Sequence, residues 1–173
     1  GKAIYKKAFG MADREWNVPN TETTKFRIGS VTKQFTAACI LLLEEQGKLS
    51  VDDHLRKYIP DYPKGDSITI HMLLNHTSGI KNYTDLPEFW PKAILPLSTD
   101  SMIALFKNKP LDFSPGTKWN YSNSGYFLLG VIVEKASGKK FTAYLEENII
   151  QKAGLKNTGM DRLDSVLAFR AKE

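Results

Sequence analysis

The chain is short of several features that would narrow its class. It has a single cysteine, Cys39, in 173 residues, so no intrachain disulfide can form. One cysteine says little about compartment. Set in the apolar stretch 35–43, it reads as a small buried hydrophobe. The longest apolar run, residues 37–43, is far short of the roughly 20 residues that cross a bilayer, so no membrane span is expected. Residues 1–10 lack the charged-then-apolar order of a signal peptide. The first residue is Gly rather than Met, and an upstream segment is expected. The 24 Lys and Arg residues against 19 Asp and Glu leave a net charge of +5. They are scattered singly or in pairs, and a nucleic-acid partner needs a clustered basic face. None is expected. His54 and His71 have no Cys, His or carboxylate partner at ligand spacing, so neither a metal nor another cofactor is expected. There is no repeat, low-complexity tract or Pro/Gly/Ser linker.

What is present is ordinary globular composition, 42% hydrophobic and 25% charged, in a chain long enough to bury a core. Residues 3–9 read as a strand that stops at Gly10. Residues 11–24 read as a polar loop. Residues 31–46 contain no Pro or Gly, are apolar on several faces and meet Gly47, which predicts the most buried helix. Residues 68–74 predict a shorter helix ending in the turn His76-Thr77-Ser78-Gly79. Residues 81–97 hold three prolines and read as irregular. Thr99 or Asp100 is expected to cap a helix over 101–108. Ser114-Pro115-Gly116 is a turn. Helices are expected over 126–136, after Ser124, and over 142–152, up to Gly154. Residues 155–173 show no period. The class is α+β, mostly helical with one N-terminal strand. A lone strand leaves its N–H and C=O groups unpaired. Its partners must come from outside these residues or from a second chain that completes the sheet.

Ser-x-x-Lys spacing marks a serine that a lysine can activate. The chain has 11 serines and 19 lysines, so chance alone gives about one match. It has three: Ser30/Lys33, Ser78/Lys81 and Ser137/Lys140. Ser78 stands in a turn, with Gly79 before its lysine. Ser137 stands at a helix C-terminus, where the dipole opposes an oxyanion. Ser30 opens a helix, where the dipole and free N–H groups favour developing negative charge. Lys33 follows one turn later on the same face. Apolar neighbours disfavour an ammonium and suit a lysine to act as a base. Gly29 permits a close backbone approach. The bland alternative makes Ser30 an N-cap and Lys33 a surface cation.

Tyr121 and Asn123 lie two residues apart after the turn at 114–117 and just before a helix. Both can point into one cleft. Neighbouring lysines would lower a tyrosine pKa and let it relay a proton. An asparagine can hold a substrate carbonyl or orient Lys33. The alternative is a capped loop with a packed tyrosine. Trp16, Trp90 and Trp119 read as packing residues, while Tyr83 and Trp90 are weaker candidates for a groove wall.

Four stretches together resemble the penicillin-recognising serine hydrolases: class C β-lactamases, D-alanyl-D-alanine carboxypeptidases, D-aminopeptidases and related esterases. They are Phe26-Arg27-Ile28-Gly29-Ser30-Val31-Thr32-Lys33-Gln34-Phe35-Thr36, Leu73-Leu74-Asn75-His76-Thr77-Ser78-Gly79-Ile80, Phe113-Ser114-Pro115-Gly116-Thr117 with Tyr121-Ser122-Asn123, and Leu155-Lys156-Asn157-Thr158-Gly159-Met160. They occur in the family's order. The resemblance implies a β-lactamase/transpeptidase-like fold. It implies that Ser30 is acylated, Lys33 is its base or proton relay, Tyr121 assists the leaving group and Asn123 contacts substrate. His76 is then a structural turn residue rather than the base of a Ser–His triad. A small-molecule or peptidoglycan-like substrate and an extracytoplasmic or periplasmic location are implied too.

The family's third motif, Lys-Thr-Gly or His-x-Gly on a strand beside the nucleophile, is not found. Lys156-Asn157-Thr158-Gly159 lies in a loop pattern. That strand supplies one of two oxyanion donors, and losing such a donor costs about 10²–10³ in turnover. Residues 1–173 are therefore expected to form one partial domain, poorly active alone. The expected function is acyl-enzyme hydrolysis of an amide, β-lactam or ester. The alternatives are a non-catalytic scaffold or binding relative, an inactive fragment, or a peptidoglycan binder that acylates slowly.

Overall fold

The computed structural model describes residues 2–161 and 166–172. Its centre is a helix of 15 residues, here α4, Asn123–Ser137. The Ser122 hydroxyl caps its N-terminus by accepting the Gly125 N–H, and Gly138 ends it in the left-handed region. Leu128, Leu129, Ile132 and Val133 form one buried stripe along it. Three further α-helices pack around that stripe: α1, Thr32–Glu45, α2, Ile70–Leu74, and α3, Thr99–Phe106. The fourth, α5, Phe141–Leu145, runs on into a π-turn, Glu146–Ile150. Among the described residues, no helix is long and apolar enough to cross a membrane.

The sequence places most of these helices to within a residue or two. Thr69 caps α2 and Ser98 caps α3, one residue before the expected Thr99. Lys48 N–H reaches back to the Leu43 carbonyl across Gly47, which closes the C-terminus of α1. Residues 81–97 form only short 3₁₀ turns, as their prolines require. The burial differs from expectation. α1 buries only Thr36, Cys39, Ile40 and Leu43, and its Leu41 is 53% exposed. The most buried helix is α4, against which α1, α2, α3 and α5 all pack.

The strand falls elsewhere than the sequence suggests. Residues 3–9 form no strand among the described residues, bend at Ile4 and are mostly exposed. The hairpin lies in the expected loop, with β1, Met11–Asp13, antiparallel to β2, Val18–Pro19. Asn17, at φ 51°, makes the left-handed turn that reverses the chain there. Asn20 then ties the preceding arm, through the carbonyls of Phe9 and Gly10. Local turn chemistry set the hairpin instead, and residues 3–9 find no partner strand among the described residues.

The turn after α2 meets the loop that leads into α4. Gly79 has φ +73°, and a Cβ there would lie 2.2 Å from the Phe113 carbonyl oxygen. Gly138 has nearly the same φ but nothing within 4 Å of its missing Cβ. Gly138→Ala should therefore cost about 1 kcal/mol from the left-handed backbone alone. Gly79→Ala adds a backbone clash and should cost about 3 kcal/mol or more. Urea denaturation of the two variants measures the difference, and equal losses would contradict the tight-approach account.

Candidate active site

Ser30 sits in a single 3₁₀ turn, Gly29–Val31, that leads into α1. Its hydroxyl caps neither element. The oxygen lies 2.6 Å from Tyr121 Oη and accepts from Lys33 Nζ at 3.2 Å. The side chain is exposed, so a substrate can reach it. Gly29 has φ +50°, and a Cβ there would meet nothing within 4 Å. The glycine serves a left-handed backbone, and the space beside it is open.

Lys33 is half-buried and donates to Asn123 Oδ1 at 2.7 Å as well as to Ser30. Its ammonium lies over the ring of Tyr121, 4.7 Å from the centroid, and over that of Tyr126, at 5.6 Å. The surroundings of Lys33 are more polar than expected. An amide oxygen, a hydroxyl and two aromatic faces adjoin its ammonium. The four residues singled out from sequence, Ser30, Lys33, Tyr121 and Asn123, thus form one connected cluster between the N-termini of α1 and α4.

Asn123 is the first residue of α4. Its Nδ2 donates to Thr84 Oγ1 at 3.1 Å, which turns Oδ1 toward Lys33. Its backbone N–H donates to the buried Asn82 Oδ1 at 3.0 Å. Ser124 Oγ donates to the Lys81 carbonyl and accepts the Tyr83 N–H. Sequence reasoning missed Asn82, Thr84 and Ser124 as site residues. Two of them lie in the irregular segment, where no periodicity or spacing marks a side chain.

Burial raises the Tyr121 phenol, but bonds with Lys33 and Ser30 and the Lys33 charge outweigh it and leave it below the usual value. His76 is lowered, first by burial and then by the Lys33 charge. Its Nδ1 accepts the Ser122 N–H at 3.1 Å, and the hydrogen bonds of Ser30 Oγ run to Tyr121 and Lys33 instead. The rival serines are engaged elsewhere. Ser78 is buried and bonds the Ile80 N–H, with its Lys81 paired to Asp112. Ser137 ends α4 and bonds the backbone of Lys139.

The tryptophans depart from the packing role expected of them. Trp16, Trp90 and Trp119 are 78%, 62% and 65% exposed. Tyr83 packs its ring on Phe89 and Phe106 instead of lining an open groove. Lys156–Gly159 forms a turn and coil with no strand. No group of His, Cys, Asp and Glu among the described residues is arranged to hold a metal.

A family model described as Beta-lactamase matches residues 1–171. The chain belongs to the beta-lactamase family. The solved structure of a penicillin binding protein from Bacillus halodurans is 38% identical, with a TM-score of 0.83, over 94% of this chain and 50% of that one. Esterase EstB of Burkholderia gladioli is 32% identical over 92% of this chain and 44% of its own length. A D-amino acid amidase from Ochrobactrum anthropi SV3 is 30% identical, with a TM-score of 0.77, over 86% of this chain and 42% of that one. The chain thus spans half or less of each of these family members. The fold is beta-lactamase/transpeptidase-like, as its motifs implied.

The downward shift of Tyr121 has a spectroscopic consequence. Tyr121 should ionise below its usual value in an ultraviolet titration. That transition should vanish in Tyr121→Phe and move up in Lys33→Ala. An unchanged low transition in Lys33→Ala would contradict the role given to the ammonium.

Proposed function

We propose that this chain carries the nucleophile of a serine hydrolase that cleaves an amide, β-lactam or ester through an acyl-enzyme. The observation that carries the reading is the short contact between Ser30 Oγ and Tyr121 Oη, backed by Lys33. A serine hydroxyl is a weak nucleophile until a neighbour takes its proton. At 2.6 Å, Tyr121 Oη is much closer to Oγ than Lys33 Nζ at 3.2 Å. Tyr121 is also the group whose pKa is drawn down. We therefore assign the first proton transfer to Tyr121, with Lys33 holding the phenolate form in place. Ser30 Oγ bonds to the substrate carbonyl carbon. The bond to the leaving nitrogen or oxygen then breaks, and Tyr121 returns the proton to it. Water follows the same route in reverse to release the acid. Asn123 both holds Lys33 and presents its edge to the cleft, where it can contact substrate.

The substrate class stays broad within this proposal. One relative is named a penicillin binding protein, another an esterase and a third a D-amino acid amidase. A class C β-lactamase or D-alanyl-D-alanine carboxypeptidase activity is a finer proposal of the same chemistry. So is a peptidoglycan-like substrate. We further propose that residues 1–173 form part of one domain, and that more polypeptide completes its sheet, from this protein or a second chain. The open hairpin supports this, as do the exposed Ile4, Tyr5, Phe9, Phe26 and Ile28 nearby in sequence.

Incubating the full-length protein with a fluorophosphonate, followed by peptide mass spectrometry, tests the central claim. An adduct should appear on Ser30 and be absent in Ser30→Ala. Lys33→Ala and Tyr121→Phe should each slow labelling by about a hundredfold or more. No adduct in the native protein would sink the proposal.

A further inference from the structure

His76 occupies a place where glycine is the usual residue. It follows the C-cap of α2 with φ +64°, and the Thr77 N–H closes the helix end on the Met72 carbonyl. A non-glycine residue there carries a backbone penalty, and such strain persists where the side chain has other work. Here the side chain reaches the loop that carries Tyr121. Nδ1 accepts the Ser122 N–H at 3.1 Å, and the His76 carbonyl accepts the Asn120 N–H at 3.0 Å. The two bonds clasp Tyr121 from either side. The imidazole also packs on the ring of Tyr121, with centroids 4.7 Å apart, and on Tyr126, at 5.1 Å.

We propose that His76 is a positioning residue: as a neutral ring with its hydrogen on Nε2, it clamps the 120–122 backbone so that Tyr121 Oη meets Ser30 Oγ. The clamp rests on the acyl-transfer reading above and assigns that site a residue beyond the nucleophile, lysine and tyrosine. It needs a lone pair on Nδ1. Protonation would place a hydrogen there, facing the Ser122 N–H, and two donors cannot bond. The titratable groups facing the ring are Lys33 on α1, Tyr121 on the loop and Tyr126 on α4. No carboxylate among the described residues pairs with it to stabilise a charge. The sign follows. The folded pKa lies below the ordinary 6.5, so folding favours the neutral ring. The clamp is intact above 6.5 and is lost as pH falls through the lower folded value. The site would then lose its geometry under mild acid, independently of the chemistry at Tyr121.

Three variants of the full-length protein separate positioning from packing. His76→Gly removes the ring and relieves the backbone, so it should fold at least as stably as the native protein. Its fluorophosphonate labelling of Ser30 should nevertheless slow by tenfold to about a hundredfold, mainly in kcat for any ester it turns over. His76→Asn places an amide oxygen near the Nδ1 position and tolerates positive φ, so it should retain most of the native rate at neutral pH. Its rate should lose one ionisation from the acid limb of the pH profile. His76→Leu keeps bulk without an acceptor and should be as slow as His76→Gly. Nitrogen-15 NMR should find Nδ1 of His76 unprotonated at neutral pH and titrating below 6.5. Native labelling rates in His76→Gly, or an unchanged acid limb in His76→Asn, would overturn the proposal. Should Ser30 in the native protein take no label at all, the hydrolase reading fails. The NMR then decides the clamp alone, and hydrogen on Nδ1 at neutral pH would refute it.

Discussion

A half-buried ammonium has to find acceptors, and the site is organised around how Lys33 finds them. Its strongest partner is Asn123 Oδ1, at 2.7 Å. That bond joins the first turn of α1 to the first residue of α4. The two helices are held in place further along by their buried stripes, Thr36–Cys39–Ile40–Leu43 on one and Leu128–Leu129–Ile132–Val133 on the other. Packing of this kind contributes far more than surface charge pairs, each worth about 0–1 kcal/mol. The pairs Lys57–Asp53 and Lys109–Glu88 are therefore minor for the fold. The core sets where the two N-termini lie, and the Lys33–Asn123 bond uses that placement.

Asn123 would be a poor acceptor if its amide were free to rotate. Thr84 prevents that by accepting from Nδ2, while Asn82 accepts the Asn123 backbone N–H, both from a segment of only short 3₁₀ turns. The turn at 76–80 does the same for Tyr121. Its carbonyls at His76, Thr77, Gly79 and Ile80 accept from Asn120, Gly116, Asp112 and Ser122. Buried polar groups of this sort cost free energy when unpaired and gain only modestly when paired. They specify one arrangement of the loop more than they add stability. The left-handed His76 and the tightly approached Gly79 belong to the same device.

Much of the architecture was legible because helices announce their ends. Gly47, Gly138 and Gly154, read as stops, have positive φ, whereas the caps of α3 and α4 fall one or two residues early, at Ser98 and Ser122 in place of Thr99 and Ser124. The strand was misread because a strand-like stretch at 3–9 is only half of a strand. The other half is a partner, and sequence does not supply one. Asn17 was the better signal for the hairpin, since asparagine tolerates the left-handed turn. Similarly, α1 looked buried all round from its composition, but only neighbours bury a face.

The site divides along the same line. Ser30 and Lys33 are three residues apart, and a helix start brings them together whatever the rest of the chain does. Tyr121 and Asn123 flank the cap of one helix, two residues apart. Their relation was readable too, as were the four ordered stretches that mark the family. That Ser30 meets Tyr121 across 91 positions, and Lys33 meets Asn123 across 90, was decided only by the packing of α1 on α4. So were the parts played by Asn82, Thr84 and His76. Their side chains act through single hydrogen bonds to distant backbone or amide groups, and such bonds leave no spacing in the sequence to be read. Local order is written in the chain because neighbouring residues constrain each other directly. Long-range geometry is not, because it exists only once a shared core has fixed where the helices lie.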